Sequence, residues 1–141
     1  MRYYIDTCIW LNLLKKEGDP AKGVPYWKIA QDFLERVLFF GHEVAYSGII
    51  LRELQIHLGD GEYPNARLYI EGLKLMRLNV SDEDKAMARQ WESQCGFRIS
   101  FYDLVHVALC KRNDCVLITR DKLLIDISQT KGVRACKPEQ S

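Results

Sequence analysis

Short apolar runs alternate along this chain with longer segments whose apolar positions recur every three or four residues, and polar or glycine-bearing turns separate the two. Tyr3-Tyr4-Ile5 is a β-prone triplet, and the apolar positions between Thr7 and Leu14 fit a helix lying against a sheet. From Lys28 to Phe40 the apolar residues at 29, 30, 33, 34, 37 and 38 follow a helical period that ends at Gly41. Glu43 to Tyr46 reads as a strand, after which Ser47 is placed to cap a helix from Gly48 to Leu58. Gly59-Asp60-Gly61-Glu62-Tyr63-Pro64 is expected to form a turn, since it lacks the ligand spacing of a calcium loop. Pro64 to Met76 fits another helix, and Leu78-Asn79-Val80 a strand. Ser81 with Asp84 forms a capping-box pattern that opens a helix to about Cys95, where Gly96 terminates it. Ser100 opens a further helix to about Arg112. The run Cys115 to Thr119 reads as a strand, residues 122 to 128 as a short helix, and Val133-Arg134-Ala135 as a closing strand.

Strands separated by helices require parallel pairing with right-handed crossovers. The expected fold is therefore an α/β three-layer α/β/α sandwich with a mostly parallel central sheet. The 141 residues carry no linker-like stretch, so residues 1–141 are expected to form one domain. A chain of this size buries about two-thirds of its unfolded surface and needs no disulfide or structural metal.

Composition narrows the setting. A hydrophobic content of 48% with 11% aromatics argues against disorder. The longest uncharged runs, such as Val44 to Leu51, fall well short of the ~18 residues of a membrane span, and Asp6 comes too early for a signal peptide. Five cysteines with no Cys-x-x-Cys pair suggest neither a disulfide framework nor a thiolate zinc site. Reduced thiols in a cytoplasmic protein are the expectation. The net charge of +1 favours no class of partner in bulk, so nucleic-acid affinity must come from local patches such as Lys15-Lys16, Arg52, Lys111-Arg112 and Arg120 with Lys122. Phosphate-binding glycine loops are absent, and His42, His57 and His106 stand in no recognisable relation to a nucleophilic hydroxyl or thiol.

Four acids stand out. Asp6 and Asp121 follow the first strand and the strand before residue 120, and in an open parallel sheet the carboxyl ends of strands open into the ligand crevice. Glu53 and Asp103 fall inside predicted helices and have ordinary local explanations. Glu53 fits a surface helical glutamate. Asp103, three residues after Ser100, fits a helix-start acid. Brought together, the four would form a carboxylate cage suited to Mg2+ or Mn2+, hard ions that prefer oxygen ligands. Such an ion acidifies a bound water, and a second ion close by could stabilise the leaving oxygen of an in-line phosphodiester displacement.

The segments Tyr4-Ile5-Asp6-Thr7, Ser47 through Glu53-Leu54, Tyr102-Asp103-Leu104-Val105-His106-Val107-Ala108 and Leu117-Ile118-Thr119-Arg120-Asp121 resemble, in order and spacing, the four signature blocks of PIN-domain nucleases, particularly the VapC-like toxins. The resemblance implies a metal-dependent endoribonuclease, the toxin of a toxin–antitoxin pair, with catalytic and metal-binding residues at Asp6, Glu53, Asp103 and Asp121 and supporting hydroxyls at Thr7 and Thr119. Arg52, Arg120 and Lys122 are the candidates for RNA phosphate. It also implies an RNA substrate and an antitoxin partner, and a homodimer is expected. One departure is visible: many relatives carry an acid three residues after the fourth, where this chain has Leu124, with Asp126 nearby. Two other readings are a non-catalytic PIN-like scaffold whose acidic pocket binds RNA or a protein, and a carboxylate–histidine metalloprotein using the pairs Glu53 with His57 and Asp103 with His106.

Overall fold

The computed structural model describes residues 1–141 and builds five strands and six helices in strict alternation save for two helix pairs. Strand β1 (Arg2–Ile5) leads to α1 (Thr7–Leu14) and α2 (Tyr26–Phe39). Strand β2 (Glu43–Ser47) leads to α3 (Gly48–Gly72), and β3 (Met76–Leu78) to α4 (Asp82–Gln94) and α5 (Phe101–Asn113). Strand β4 (Val116–Ile118), α6 (Lys122–Thr130) and β5 (Ala135–Cys136) complete the domain, with a 3-10 turn at Pro138–Gln140. The sheet order is β3-β2-β1-β4-β5 and every pairing is parallel. Every residue of β4, and all of β1 after Arg2, is buried, so both sheet faces are covered by helices as a parallel sheet requires.

The chain moves outward from β1 through β2 to β3, then returns to place β4 on the other side of β1. The direction of winding therefore reverses between β1 and β4, where the crevice of a doubly wound sheet opens. Asp6 stands one residue beyond β1, and its backbone N–H donates to the Ile118 carbonyl at the end of β4 (2.9 Å). The core beneath this point is one cluster centred on Tyr4, Ile5, Trp10, Leu54, Leu104, Leu109, Leu117 and Ile118, all essentially inaccessible.

Three element boundaries differ from the sequence reading. The helix expected over Pro64 to Met76 ends at Gly72, a poor helix former, and β3 occupies Met76–Leu78 rather than 78–80. Its register, Met76 opposite Ala45 and Leu78 opposite Ser47, is set by pairing with β2. The expected turn over Gly59 to Pro64 contracts to Gly59 alone, at φ 75°, a left-handed conformation glycine accepts without steric cost; helix resumes at Asp60 and carries Pro64 within it. Strand β5 lies one to two residues beyond the expected Val133 to Ala135. All five cysteines are free: Cys110 and Cys115 are buried, while Cys8, Cys95 and Cys136 are half-buried. No helix is long and apolar enough to cross a membrane.

Candidate active site

Asp6 is held from three sides. Its Oδ1 accepts from the Thr7 N–H (2.8 Å), which caps α1, and its Oδ2 accepts from the Thr119 hydroxyl (2.8 Å) and, more weakly, from the Cys8 thiol (3.4 Å). Burial, then the Asp6 charge, pushes the Cys8 thiol up to about 12, so it stays a donor. Thr119 is fully buried, and its Oγ1 also accepts from the Asp121 N–H (3.2 Å), so one hydroxyl ties the end of β1 to the start of α6. The Thr7 hydroxyl is buried without a partner beside Asp6.

Asp103 sits in the first turn of α5. Its backbone N–H donates to Ser100 Oγ (3.2 Å), so the cap expected at this position exists. The reciprocal half is missing, however. At the Ser81 cap of α4 the carboxylate of Asp84 accepts from the Ser81 N–H (2.9 Å), whereas no such bond joins Asp103 to the Ser100 N–H. The Asp103 carboxylate lies in the site, and its oxygen, an Asp6 oxygen and a His106 ring nitrogen all fall within 4.8 Å of one another. Burial and then the charge of Asp6 raise the Asp103 pKa from 3.8 to about 6. Two carboxylates at this separation concentrate negative charge that a cation would relieve. The orphaned Thr7 hydroxyl and the oxygen-rich donor set also suit a hard divalent ion.

Glu53 reaches the group through His106. The Nε2 of His106 lies 2.5 Å from Glu53 Oε1, its Nδ1 lies 2.6 Å from the Tyr4 hydroxyl, and Tyr4 Oη is 2.8 Å from Ser47 Oγ. Burial keeps the Tyr4 phenol protonated. The chain is fully satisfied with a neutral imidazole: Ser47 donates to Tyr4, Tyr4 to Nδ1, and Nε2–H to Glu53. Burial opposes a charge on His106, but the bond to Glu53 and the charges of Asp6, Glu53 and Asp103 outweigh it and raise its pKa. Glu53 Oε2 makes no hydrogen bond, and the side chain is 26% exposed, so it stays open to a further partner.

Asp121 is exposed and caps α6 through Oδ1, which accepts from the N–H groups of Leu123 (3.0 Å) and Leu124 (3.2 Å). It flanks the compact group rather than joining it, linked to Asp6 through Thr119, and its Oδ2 is unengaged. Leu124 is a core side chain, while Asp126 is exposed, so neither extends the acidic group. Arg120, expected to meet phosphate, turns away: its Nη1 donates to Glu139 (2.9 Å) and its guanidinium stacks on Tyr26 at 4.3 Å from the ring centroid. Arg52 and Lys122 are exposed and unpaired. His57 is exposed and joins no acid, and the alternation of helices with short strands excludes a four-helix metal bundle.

The residue most underrated from sequence is His106. Its burial inside an apolar helical run reads as core, and only the fold brings Glu53 and Tyr4 to its two nitrogens. The pairing of Asp103 with His106 three residues later on the same helix did mark it in the sequence, but as a metal ligand rather than as the anchor of Glu53.

No curated protein matches the chain by sequence. Among solved structures, it matches a chain of VapBC2 from Rickettsia felis bound to a promoter DNA fragment at a TM-score of 0.72 and 20% identity, over 97% of this chain and 98% of that one. VapBC-1 from nontypeable Haemophilus influenzae matches at 0.69 and 21%, over 99% of each chain. VapC20 from Mycobacterium tuberculosis, described as a toxin that cleaves the sarcin–ricin loop, matches at 0.67 and 17%, over 89% of this chain and 94% of that one. These likenesses carry the fold. The PIN domain family model matches residues 3–129, from the first core residue of β1 to the last turn of α6 and across all four acids, and the chain belongs to the PIN domain family.

Proposed function

We propose that the chain is a metal-dependent endoribonuclease that hydrolyses RNA phosphodiester bonds and serves as the toxin of a toxin–antitoxin pair. The observation that carries this is the meeting of Asp6, Asp103 and His106 within 4.8 Å at the point where the sheet's winding reverses. Asp6 and Asp103 would hold Mg2+ or Mn2+, with Asp121 Oδ2 at the flank. Such an ion supplies a more acidic water and charge stabilisation of the leaving oxygen.

The protein's own groups divide the remaining work. Thr119 and the Thr7 N–H fix both Asp6 oxygens, leaving it a ligand with little freedom to reorient. Glu53, held at Oε1 by His106, presents Oε2 to take a proton from the attacking water or to bind a second ion. Arg52 and Lys122 meet phosphate charge from the rim.

The antitoxin is expected to insert a basic side chain among the carboxylates, where a bidentate arginine finds a charge-assisted site. A groove of about 530 Å³ between α1 and α3, lined by Leu14, Leu58, Ala66 and Tyr69, suits the large apolar residues of the same segment. The solved VapBC complexes are consistent with that partner. A homodimer and a cytoplasmic location complete the proposal.

Purified protein freed of any partner should cleave single-stranded or structured RNA with Mg2+ or Mn2+ and remain inactive in EDTA. Undiminished cleavage in EDTA overturns the metal reading, and RNA binding without cleavage under every metal tested leaves the non-catalytic scaffold. Co-expression with the neighbouring reading frame and pull-down tests the partner; equal capture by wild type, Asp6→Ala and Asp121→Ala would sink insertion into the acidic pocket.

A further inference from the structure

Beyond the carboxyl ends of β2 and β3 lies a cleft of about 670 Å³ that none of the four acids enters. Its wall carries Arg52, Arg77, Lys85 and Arg89 together with Phe101 and Tyr102, and no aspartate or glutamate. Four cations in one cleft are conspicuous in a chain whose net charge is only +1. Arg52, Arg77 and Lys85 form no ion pair; Arg89 alone has an acidic partner, Glu92, on its own helix. Helices α3 and α5 both begin at this wall, adding the positive ends of two helix dipoles. Unmatched positive charge held together costs folding stability, and the fold keeps it beside the acidic site: Arg52 precedes Glu53, and Tyr102 precedes Asp103.

The aromatic residues say what kind of anion fits. Tyr102 is 49% exposed, its ring set beside Phe101 at 5.2 Å between centroids, and the Arg89 guanidinium covers the Phe101 ring at 3.8 Å. Arg89 thus backs Phe101, and Tyr102 presents an aromatic surface to solvent at the cleft. Leaving a large ring open next to cations has no use for an acidic peptide. It suits a polyanion with flat faces of its own, and a duplex conceals those faces whereas a single strand offers them.

We propose that this cleft is a track for single-stranded nucleic acid, in which Arg52, Arg77 and Lys85 take the phosphates and Tyr102 stacks on an unpaired base next to the acidic site. The inference deepens the ribonuclease reading and rests on it for what happens to the strand once bound. Arg77 and Lys85 set affinity without regard to sequence, and Tyr102 selects for a base that is free of pairing. Stacking on one platform tolerates any base, so the track selects structure over sequence.

The test is fluorescence anisotropy of short labelled oligouridine and oligoadenine RNA in EDTA, where cleavage is suppressed, at several salt concentrations. Arg77, Lys85 and Tyr102 are all exposed, so their substitution leaves the fold intact, which circular dichroism verifies. Arg77→Ala and Lys85→Ala are each expected to lower the log–log salt slope by about 0.7. Tyr102→Ala is expected to weaken binding roughly tenfold, Tyr102→Phe to restore it, and a duplex of the same sequence to bind more weakly than the single strand. Unchanged affinity in the three alanine variants overturns the proposal. So does full displacement by polyglutamate combined with indifference to Tyr102→Ala, which would make the cleft a seat for an acidic protein segment. If the variants behave as expected but no metal supports cleavage, the track stands and the ribonuclease reading fails. If RNA is cleaved yet the variants bind as wild type does, the reverse holds.

Discussion

His106 Nε2 and Glu53 Oε1 lie 2.5 Å apart across two helices, joining residues separated by 53 positions in the chain. The imidazole is fully buried and its other nitrogen is engaged by Tyr4, so it cannot rotate without breaking both bonds. Glu53 is thereby fixed by a group that never reaches solvent.

Loss of that anchor should be felt in both stability and activity. His106→Ala takes away one of the two partners of the Tyr4 hydroxyl, leaving it only Ser47, and opens a cavity in the core, a combined cost of about 2–4 kcal/mol in urea unfolding. Tyr4→Phe removes two bonds, to Ser47 and to His106, and strands Nδ1, costing about 1–3 kcal/mol. Because the two residues share a hydrogen bond, the double variant should cost less than the sum of the singles. Additive losses in that cycle would show that the chain from Ser47 to Glu53 is not energetically coupled.

Asp84 makes a separate prediction at the other end of α5. It completes the Ser81 capping box and also accepts from Arg112 at 3.0 and 2.9 Å, although it is only 3% exposed. Burial opposes its charge, but the bonds from Arg112 and Ser81 outweigh it and lower its pKa below 3.8. A depressed folded pKa gives stability that is present above the unfolded value and lost as pH falls below it. Asp84→Ala should therefore cost about 2–4 kcal/mol near neutrality, through the lost cap and an unpaired Arg112, and progressively less in acid. A pH-independent penalty in urea titrations would remove the Arg112 pair as its source.

The acids at strand ends were legible because a strand, a carboxylate and a helix start occupy adjacent residues, as at Ile5, Asp6 and Thr7. The caps at Ser47, Ser81 and Ser100 were legible for the same reason, each being local chemistry. The position of β3 was not: three residues carry no usable period, and pairing with β2 sets it. Nor was the bond between His106 and Glu53, since only the tertiary fold brings residues 53 positions apart together. The direction taken by Arg120 depended on Tyr26 and on Glu139 near the end of the chain, both remote in sequence.

Arg120 and Lys122 should consequently part company. Arg120 is 16% exposed in its side chain and ties β4's exit to Tyr26 and Glu139, so Arg120→Ala should cost about 1 kcal/mol of stability. Exposed, unpaired Lys122 contributes nothing comparable. Lys122→Ala should leave unfolding unchanged while weakening RNA binding and flattening its salt dependence. Thermal unfolding and anisotropy on the same two variants check this, and a Lys122→Ala protein with unaltered RNA affinity would remove that lysine from the phosphate contacts.

The acidic pair supplies the sharpest prediction, because metal and proton compete for the same charge. Carboxylate oxygens of Asp6 and Asp103 lie within 4.8 Å, a repulsion of roughly 3.5 kcal/mol at an effective dielectric near 20, less where water penetrates. Burial and the Asp6 charge raise the Asp103 pKa from 3.8 to about 6, so the folded protein holds this proton more tightly than the unfolded chain does. A raised folded pKa means that the associated stability is fully present below pH 3.8 and disappears as pH rises through 6. Metal-free protein should therefore lose stability across that window from this residue, and Asp103→Asn should flatten the loss. Near neutrality the variant should be as stable as metal-free wild type or more so, should not cleave RNA, and should gain less from Mg2+ or Mn2+ in thermal unfolding. If Asp103 served only to start α5, the substitution would instead cost a few tenths to ~1 kcal/mol and leave activity intact. The absent bond to the Ser100 N–H argues for the first outcome. A destabilised, fully active Asp103→Asn protein with an unchanged metal response would take Asp103 out of the site, and with it the two-carboxylate basis for holding an ion there.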